Sequence, residues 1–356
     1  MTAHADDAFR NAVDQDVLFD HYGAAARGAN IFGLTATPEE AKILLLPVPW
    51  EATVSYGGGA AEGPAAILRA STQVDLYDRE LGLFYKAGIC LLPESRDVRQ
   101  WNDEARRNAV KVLAKGGVDA SNRKYCDRVN ALGEKLNDYV YAETKNILRQ
   151  GKIPGLVGGD HSTPLGAIRA CAEAEKGIGV LHIDAHLDMR KSFEDFPWSH
   201  ASIMRNVAEG VPGVEKIVSV GIRDFCREEK EFVEGQSGKI DVFFDEDMAG
   251  DMFSGKTWHD VCTAIADKLP RNVYISFDID GLDPSLCPHT GTPVPGGITF
   301  NQAQFLIKTL VKSGHRIVGF DMVEVAPGRD TEWDANVGAS LLFVLCGWSL
   351  RSQEEK

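Results

Sequence analysis

The sequence predicts an α/β protein built on a parallel β-sheet. Short apolar runs without polar alternation, the pattern of strands buried on both faces, recur along the chain. Amphipathic stretches of helical length lie between them. Four of the runs also end in clusters of Asp, His and Glu, and open parallel sheets bind ligands beyond the carboxyl ends of their strands.

Residues 1–40 are polar, carry no clear core pattern and read as an N-terminal extension. From residue 41 to 356 the chain reads as one domain, since no linker divides it. ILLLPVPW is a strand, and GPAAILRAS is a helix opened by Pro64. The glycine loop before Pro64 lacks the Lys-Ser/Thr of a phosphate-binding loop and reads as a turn. Residues 99–123 are charged and loop-like, an insertion or lid. Val129, Leu132, Leu136, Val140 and Ile147 then recur at near-helical spacing, with Gly151 as the stop. IPGLVGG precedes STPLGAIRACAEA, and GVLHID precedes SHASIMRNVAEG. KIVSVGIRD follows, then KIDVFFDED with a helix after Thr257, NVYISFDID with a helix from Thr299, and RIVGFDMVEVAP. ASLLFVLCGW reads as a final helix.

Composition narrows the function. A hydrophobic content of 44% with 25% charged residues fits a soluble globular chain. A net charge of -14, without a basic run, argues against nucleic acid and suits cationic substrates. No apolar run reaches the ~20 residues of a membrane span. The acidic N-terminus reads as no signal peptide. Seven scattered cysteines without a C-x-x-C pair suggest reduced thiols in the cytoplasm.

The polar clusters carry the chemistry. They are Gly158-Gly159-Asp160-His161-Ser162, Asp184-Ala185-His186-Leu187-Asp188, Asp278-Ile279-Asp280-Gly281-Leu282-Asp283-Pro284 and Val323-Glu324-Val325. In an extended chain Asp184, His186 and Asp188 share one face, where they need a counter-charge. His182 is expected on the opposite face, as a core histidine. The third cluster is no EF-hand loop, because Gly281 falls at its fourth position instead of its sixth. His161, Asp184, His186, Asp188, Asp278 and Asp280 together supply four carboxylates and two imidazoles, enough for two divalent ions. That ligand set suits Mn²⁺, and also Fe, Co or Ni. Two such ions about 3.5–4 Å apart activate a shared water near neutral pH.

GGDHS, DAHLD and SFDIDGLDP, in that order, resemble the ureohydrolase family of arginases and agmatinases. GGGAAEGPAAILR, Gly221-Ile222-Arg223-Asp224, TGTPVPGG and Val323-Glu324-Val325 add to the likeness, which spans Ala41 to Cys346. The resemblance implies an arginase-like three-layer sandwich with a parallel sheet of about eight strands, and a trimer or hexamer. It implies a two-manganese centre, with Ni²⁺ as the alternative metal. His161 and Asp188 would hold the first ion, and His186 and Asp280 the second. Asp184 and Asp278 would bridge them. Glu324 would bind the guanidinium, and His200 would shuttle the proton. Asp188 counts with the catalytic residues, and Asp160 would hold a ligand in place.

The loop MRKSFEDFPWS differs from arginases, and its Phe193, Phe196, Pro197 and Trp198 suggest an apolar wall against the substrate. The reaction expected is hydrolysis of agmatine to putrescine and urea. Guanidine, guanidinobutyrate or another substituted guanidine is the alternative. A non-catalytic subunit that activates a related hydrolase is the reading from a different class.

Overall fold

The computed structural model describes residues 29–236 and 238–354. Eight strands form one parallel sheet in the order β2-β1-β3-β8-β7-β4-β5-β6. They are β1 (Ile43–Val48), β2 (Ile89–Leu91), β3 (Ile153–Gly158), β4 (Ile178–Ile183), β5 (Val214–Ile222), β6 (Ile240–Phe244), β7 (Asn272–Asp278) and β8 (Arg316–Val323). Ten helices are described: α1 (Gly63–Ser71), α2 (Arg96–Leu113), α3 (Arg123–Arg149), α4 (Leu165–Ala174), α5 (Ile203–Gly210), α6 (Arg227–Gly235), α7 (Asp245–Phe253), α8 (Trp258–Ala266), α9 (Phe300–Lys312) and α10 (Trp333–Arg351).

The unbroken apolar runs arise because each strand feeds two cores. In β1, Ile43 and Leu45 enter one apolar cluster, while Leu46 and Val48 enter the other. In β4, Leu181 and Ile183 face the first, and Ile178 and Val180 the second. Alternate side chains point to opposite faces, so a sheet covered on both sides needs apolar residues at every position. Residues of α8, α9 and α10 fill the first cluster, and residues of α3, α4 and α5 the second. Thr257 and Thr299 cap α8 and α9 through capping boxes with Asp260 and Gln302.

Two expectations change. Residues 96–113 form a helix, where the sequence reads as loop. Its buried stripe is Val98, Asn102, Ala105, Ala109 and Val112, too small and polar to register as an apolar face. The helix braces the site. The Glu51 N–H donates to Asn102 Oδ1 at 2.6 Å, and Arg106 donates to the carbonyls of Ala52 and Val54. The second change is at the N-terminal boundary. Ile31, Phe32 and Leu34 are buried in the first core, and Asn30 hydrogen-bonds both the N–H and the C=O of Leu91 on edge strand β2. Residues 1–28 of the expected extension lie outside the described residues.

Candidate metal centre

The strands carrying the polar clusters, β3, β8, β7 and β4, are consecutive in the sheet. Their carboxyl ends therefore lie side by side and bring all six expected donors together. His161 Nδ1 lies 2.9 Å from Asp184 Oδ2, 3.2 Å from Asp188 Oδ2 and 3.2 Å from Asp278 Oδ2. His186 Nδ1 lies 3.4 Å from Asp184 Oδ1 and 3.2 Å from Asp280 Oδ2. Asp184 thus gives one oxygen to each of two nests. Asp278 gives Oδ2 to the first nest, while its Oδ1 accepts the Asp280 N–H at 2.9 Å.

The backbone achieves this differently from the extended reading. Strand β4 stops at Ile183, and Asp188 has a left-handed φ of 53°. Glu324, just past β8, has a φ of 61°. Left-handed backbone at a non-glycine residue costs about 1–3 kcal/mol and persists only where the surroundings enforce it. Here the Asp188 carbonyl accepts from the N–H groups of Met204 and Arg205 at the start of α5. The Glu324 N–H donates to the Gly159 carbonyl, and its own carbonyl accepts from Thr290 Oγ1.

His182 is corrected in position and kept as a core residue. It is fully buried and lies on the Asp184 side, two residues before it. Its Nε2 lies 2.9 Å from Asp184 Oδ2 and its Nδ1 3.0 Å from Ser219 Oγ, so both nitrogens are engaged. A parallel chain of contacts orients His161, whose Nε2 lies 2.9 Å from Ser276 Oγ. That hydroxyl in turn lies 3.2 Å from Asp321 Oδ1. Burial pushes the Asp321 carboxyl up to about 6. Nothing in the motifs pointed to Asp321; the available signal was a lone acid inside the apolar run RIVGFDMV.

His161, His186, Asp188, Asp278 and Asp280 border a cavity of about 180 Å³ shared with Ser55, Arg190, Phe193, His200, Asp224, Phe225, Glu229, Thr292 and Glu324. Glu324 Oε1 accepts the His161 N–H at 2.9 Å. Burial, then the charges of Asp278 and Asp160, raises its carboxyl well above the ordinary range, and a cation beside it would restore the ionised form. His200 has Nδ1 within 3.3 Å of Ser199 Oγ and 3.4 Å of Thr53 Oγ1. Its pKa is pushed down to about 4 by burial and then by the charges of His186 and His161.

Other expected residues fall elsewhere. Trp198 packs on Gly133 of α3 and lines a groove with Asn137 and Arg169, away from the donors. Phe196 is buried against Val129 and Cys126, leaving Phe193 as the loop's aromatic in the cavity wall. Asp160 accepts the Ser162 N–H and hydroxyl and contacts none of the six donors by hydrogen bond, so it shapes its own turn. Glu51, absent from the sequence reading, takes the N–H groups of Gly59 and Ala61 and anchors the glycine loop beside Ser55.

The arginase family profile matches residues 41–347. An N(1)-aminopropylagmatine ureohydrolase of Thermococcus kodakarensis is 34% identical over 310 residues, 87% of this chain and 91% of that protein. An agmatinase of Bacillus anthracis is 30% identical over 87% of this chain and 93% of its own. The crystal structure of the agmatine ureohydrolase of Thermoplasma volcanium superposes with a TM-score of 0.68 at 26% identity, covering 95% of this chain and 98% of that one. The chain belongs to the arginase family and is a metal-dependent amidinohydrolase with the arginase fold. No helix among the described residues is long and apolar enough to cross a membrane.

Proposed function

We propose that the chain hydrolyses the guanidino group of a small alkylguanidine to urea and an amine, using two divalent metal ions. One observation carries this reading: Asp184 offers an oxygen to each of two imidazole–carboxylate nests beside a cavity that also holds Glu324 and His200. The donors fit such ions. Two ligand atoms bonded to one ion at about 2.1 Å and near right angles lie about 3 Å apart. The nests hold their atoms at 2.9–3.4 Å. Among the described residues, no Lys or Arg pairs with any of the four carboxylates, so divalent ions supply the missing positive charge. Carboxylate and imidazole without thiolate favour Mn²⁺, with Ni²⁺ the alternative.

In this reading His161 and Asp188 would hold the first ion, His186 and Asp280 the second, and Asp184 and Asp278 would serve both. Bound there, the ions supply an activated water and offset charge that develops at the guanidino carbon. Glu324 orients the guanidinium by a charge-assisted hydrogen bond. His200 has Nδ1 turned to Ser199 and Thr53, which leaves Nε2 for the substrate. From there it would pass a proton to the departing amine.

Agmatine is the substrate the sequence favours, and the names of the amine-tailed relatives support it. A guanidino compound without a terminal amine, guanidine and guanidinobutyrate included, is the second reading, and Arg190 in the cavity wall favours it. A trimer or hexamer and a cytoplasmic location are the expected setting. Urea release from Mn²⁺- or Ni²⁺-loaded protein, with metal counted per chain, tests the proposal. Two ions and urea from an alkylguanidine are expected. Two ions without urea from any guanidino compound, with activity only on adding a related subunit, would replace this reading with that of an activating partner.

A further inference from the structure

The loop beside Glu324 is gripped by two consecutive residues at the start of α10. Trp333 Nε1 donates to the Ser285 carbonyl at 2.9 Å. Asp334, fully buried in the first turn, holds His289 twice. Its Oδ1 accepts the His289 N–H at 2.9 Å, and its Oδ2 lies 2.8 Å from His289 Nδ1. An ionised carboxylate only accepts, so Nδ1 carries a proton toward it. The chain after β8 closes over the ring: a Cβ at Gly328 would stand 2.7 Å from His289 Cε1 and 2.9 Å from Nδ1. Arg223 pins the far end of the same loop, donating to the carbonyls of Leu282 and Val294 at 3.0–3.2 Å.

The residues that follow His289 reach Glu324. The buried Thr290 hydroxyl donates to the Glu324 carbonyl at 2.9 Å, at the residue whose φ is 61°. A left-handed non-glycine backbone of this kind holds only while its neighbours enforce it. A Cβ at Gly291 would lie 3.5 Å from Glu324 Oε2, so the chain at 291 borders the carboxylate itself. The Gly291 carbonyl accepts the Gly57 N–H at 3.2 Å, which fixes it from the other side. Glu324 Oε1 is taken by the His161 N–H, whereas Oε2 accepts no hydrogen bond from the described residues. The direction of Oε2 therefore depends on the backbone at 324 and on the chain that lies against it.

We propose that Asp334 and His289 are positioning residues for the hydrolysis: they clamp the 289–292 loop, which holds the left-handed Glu324 backbone and aims Oε2 at the guanidinium. Neither residue lines the cavity, so the effect passes through Glu324. This rests on Glu324 receiving the guanidinium of a substrate.

The test measures urea release by the full-length, metal-loaded protein from agmatine, guanidine and 4-guanidinobutyrate. Metal content and melting temperature are read for every variant. H289A removes the ring that Asp334 holds. KM for the compound hydrolysed should rise about tenfold or more while kcat stays within about threefold, because a guanidinium–carboxylate bond is made in the ground state and kept in the transition state. Both ions should stay bound. H289N keeps a side-chain N–H near the place of Nδ1 and should return KM to within about threefold of wild type. D334N turns one acceptor into a donor and should resemble H289A. An unchanged KM in H289A, whatever its melting temperature, overturns the assignment while the hydrolase reading stands. So does an H289N variant as impaired as H289A, or a loss of metal from either. No urea from any of the three compounds by the wild type, with both ions bound, overturns the hydrolase reading and this assignment with it.

Discussion

The two donor nests share Asp184 but differ in how they are enclosed. Around His161 the walls are sealed: His161, Asp184, Asp188 and Asp278 are buried, and His182 and Ser276 contact the first two from behind. Around His186 the wall is open. Its side chain is 22% exposed, and the outward Nε2 meets the solvent-exposed Asp224 at 3.9 Å. Buried contacts behind a ligand hold its orientation before the ion arrives, whereas an exposed ligand reorients and exchanges. The first nest is therefore expected to bind its ion tightly and release it slowly, and the second to exchange.

The largest effect should erase the comparison. Asp184→Ala removes the carboxylate common to both nests, so both ions and all turnover are expected to be lost. Metal counting checks it, and a variant that keeps two ions would show that Asp184 bridges nothing. His200→Ala acts in the cavity and outside both nests. It should lower kcat by about 10²–10⁴-fold, the range of a lost proton-transfer group, with metal content unchanged. Loss of metal instead would make His200 a ligand.

Smaller changes compare the two nests directly. Ser276→Ala breaks the contact behind His161 and should weaken the tighter metal-binding step by about 10–100-fold. Asp224→Asn changes only the exposed contact of His186 and should shift the weaker step by less. Calorimetric titration resolves the two steps; equal effects would mean the nests do not differ in preorganisation.

The mildest test is pH. In the metal-free protein the surrounding carboxylates raise the pKa of His161 well above its ordinary value and that of His186 to about 12. Both imidazoles then carry protons at neutral pH that a metal must displace. Metal affinity should rise with pH, by about tenfold per unit for each proton released. Titration in buffers of different ionisation heat counts those protons. The same shifts set metal-free stability. The raised histidine pKa values contribute stability that is complete below pH ~6.5 and is lost as pH climbs toward the folded values. Burial lifts Asp188 to about 7, which penalises its ionised form in the same direction. Metal-free protein should therefore melt at lower temperature as pH rises from 6 to 9, and added metal should reverse the trend.

Much of this was legible in the sequence alone. The parallel sheet was, because a strand buried on both faces must be apolar throughout. The meeting of six acids and histidines was, because they stand at the carboxyl ends of apolar runs and a parallel sheet brings those ends to one edge. Helix α2 was not, since Ala105 and Ala109 bury little apolar surface and its charged face dominates the pattern. The place of Trp198 was not, because an aromatic in a loop announces burial without saying against what; Gly133, 65 positions earlier, provides its seat.

By itself, then, the sequence determined the class of sheet, the acids and histidines at its strand ends and their order along the chain. These follow from local chemistry: side-chain type, spacing and the run of apolar residues. Only the tertiary structure decided where side chains beyond the strand ends point. The left-handed turns at Asp188 and Glu324, the contact of His182 with Asp184, the Ser276–Asp321 support and the cavity-facing Arg190 all depend on it. The physical reason is that these backbone angles are imposed by hydrogen bonds from segments distant in sequence, and no local pattern encodes them.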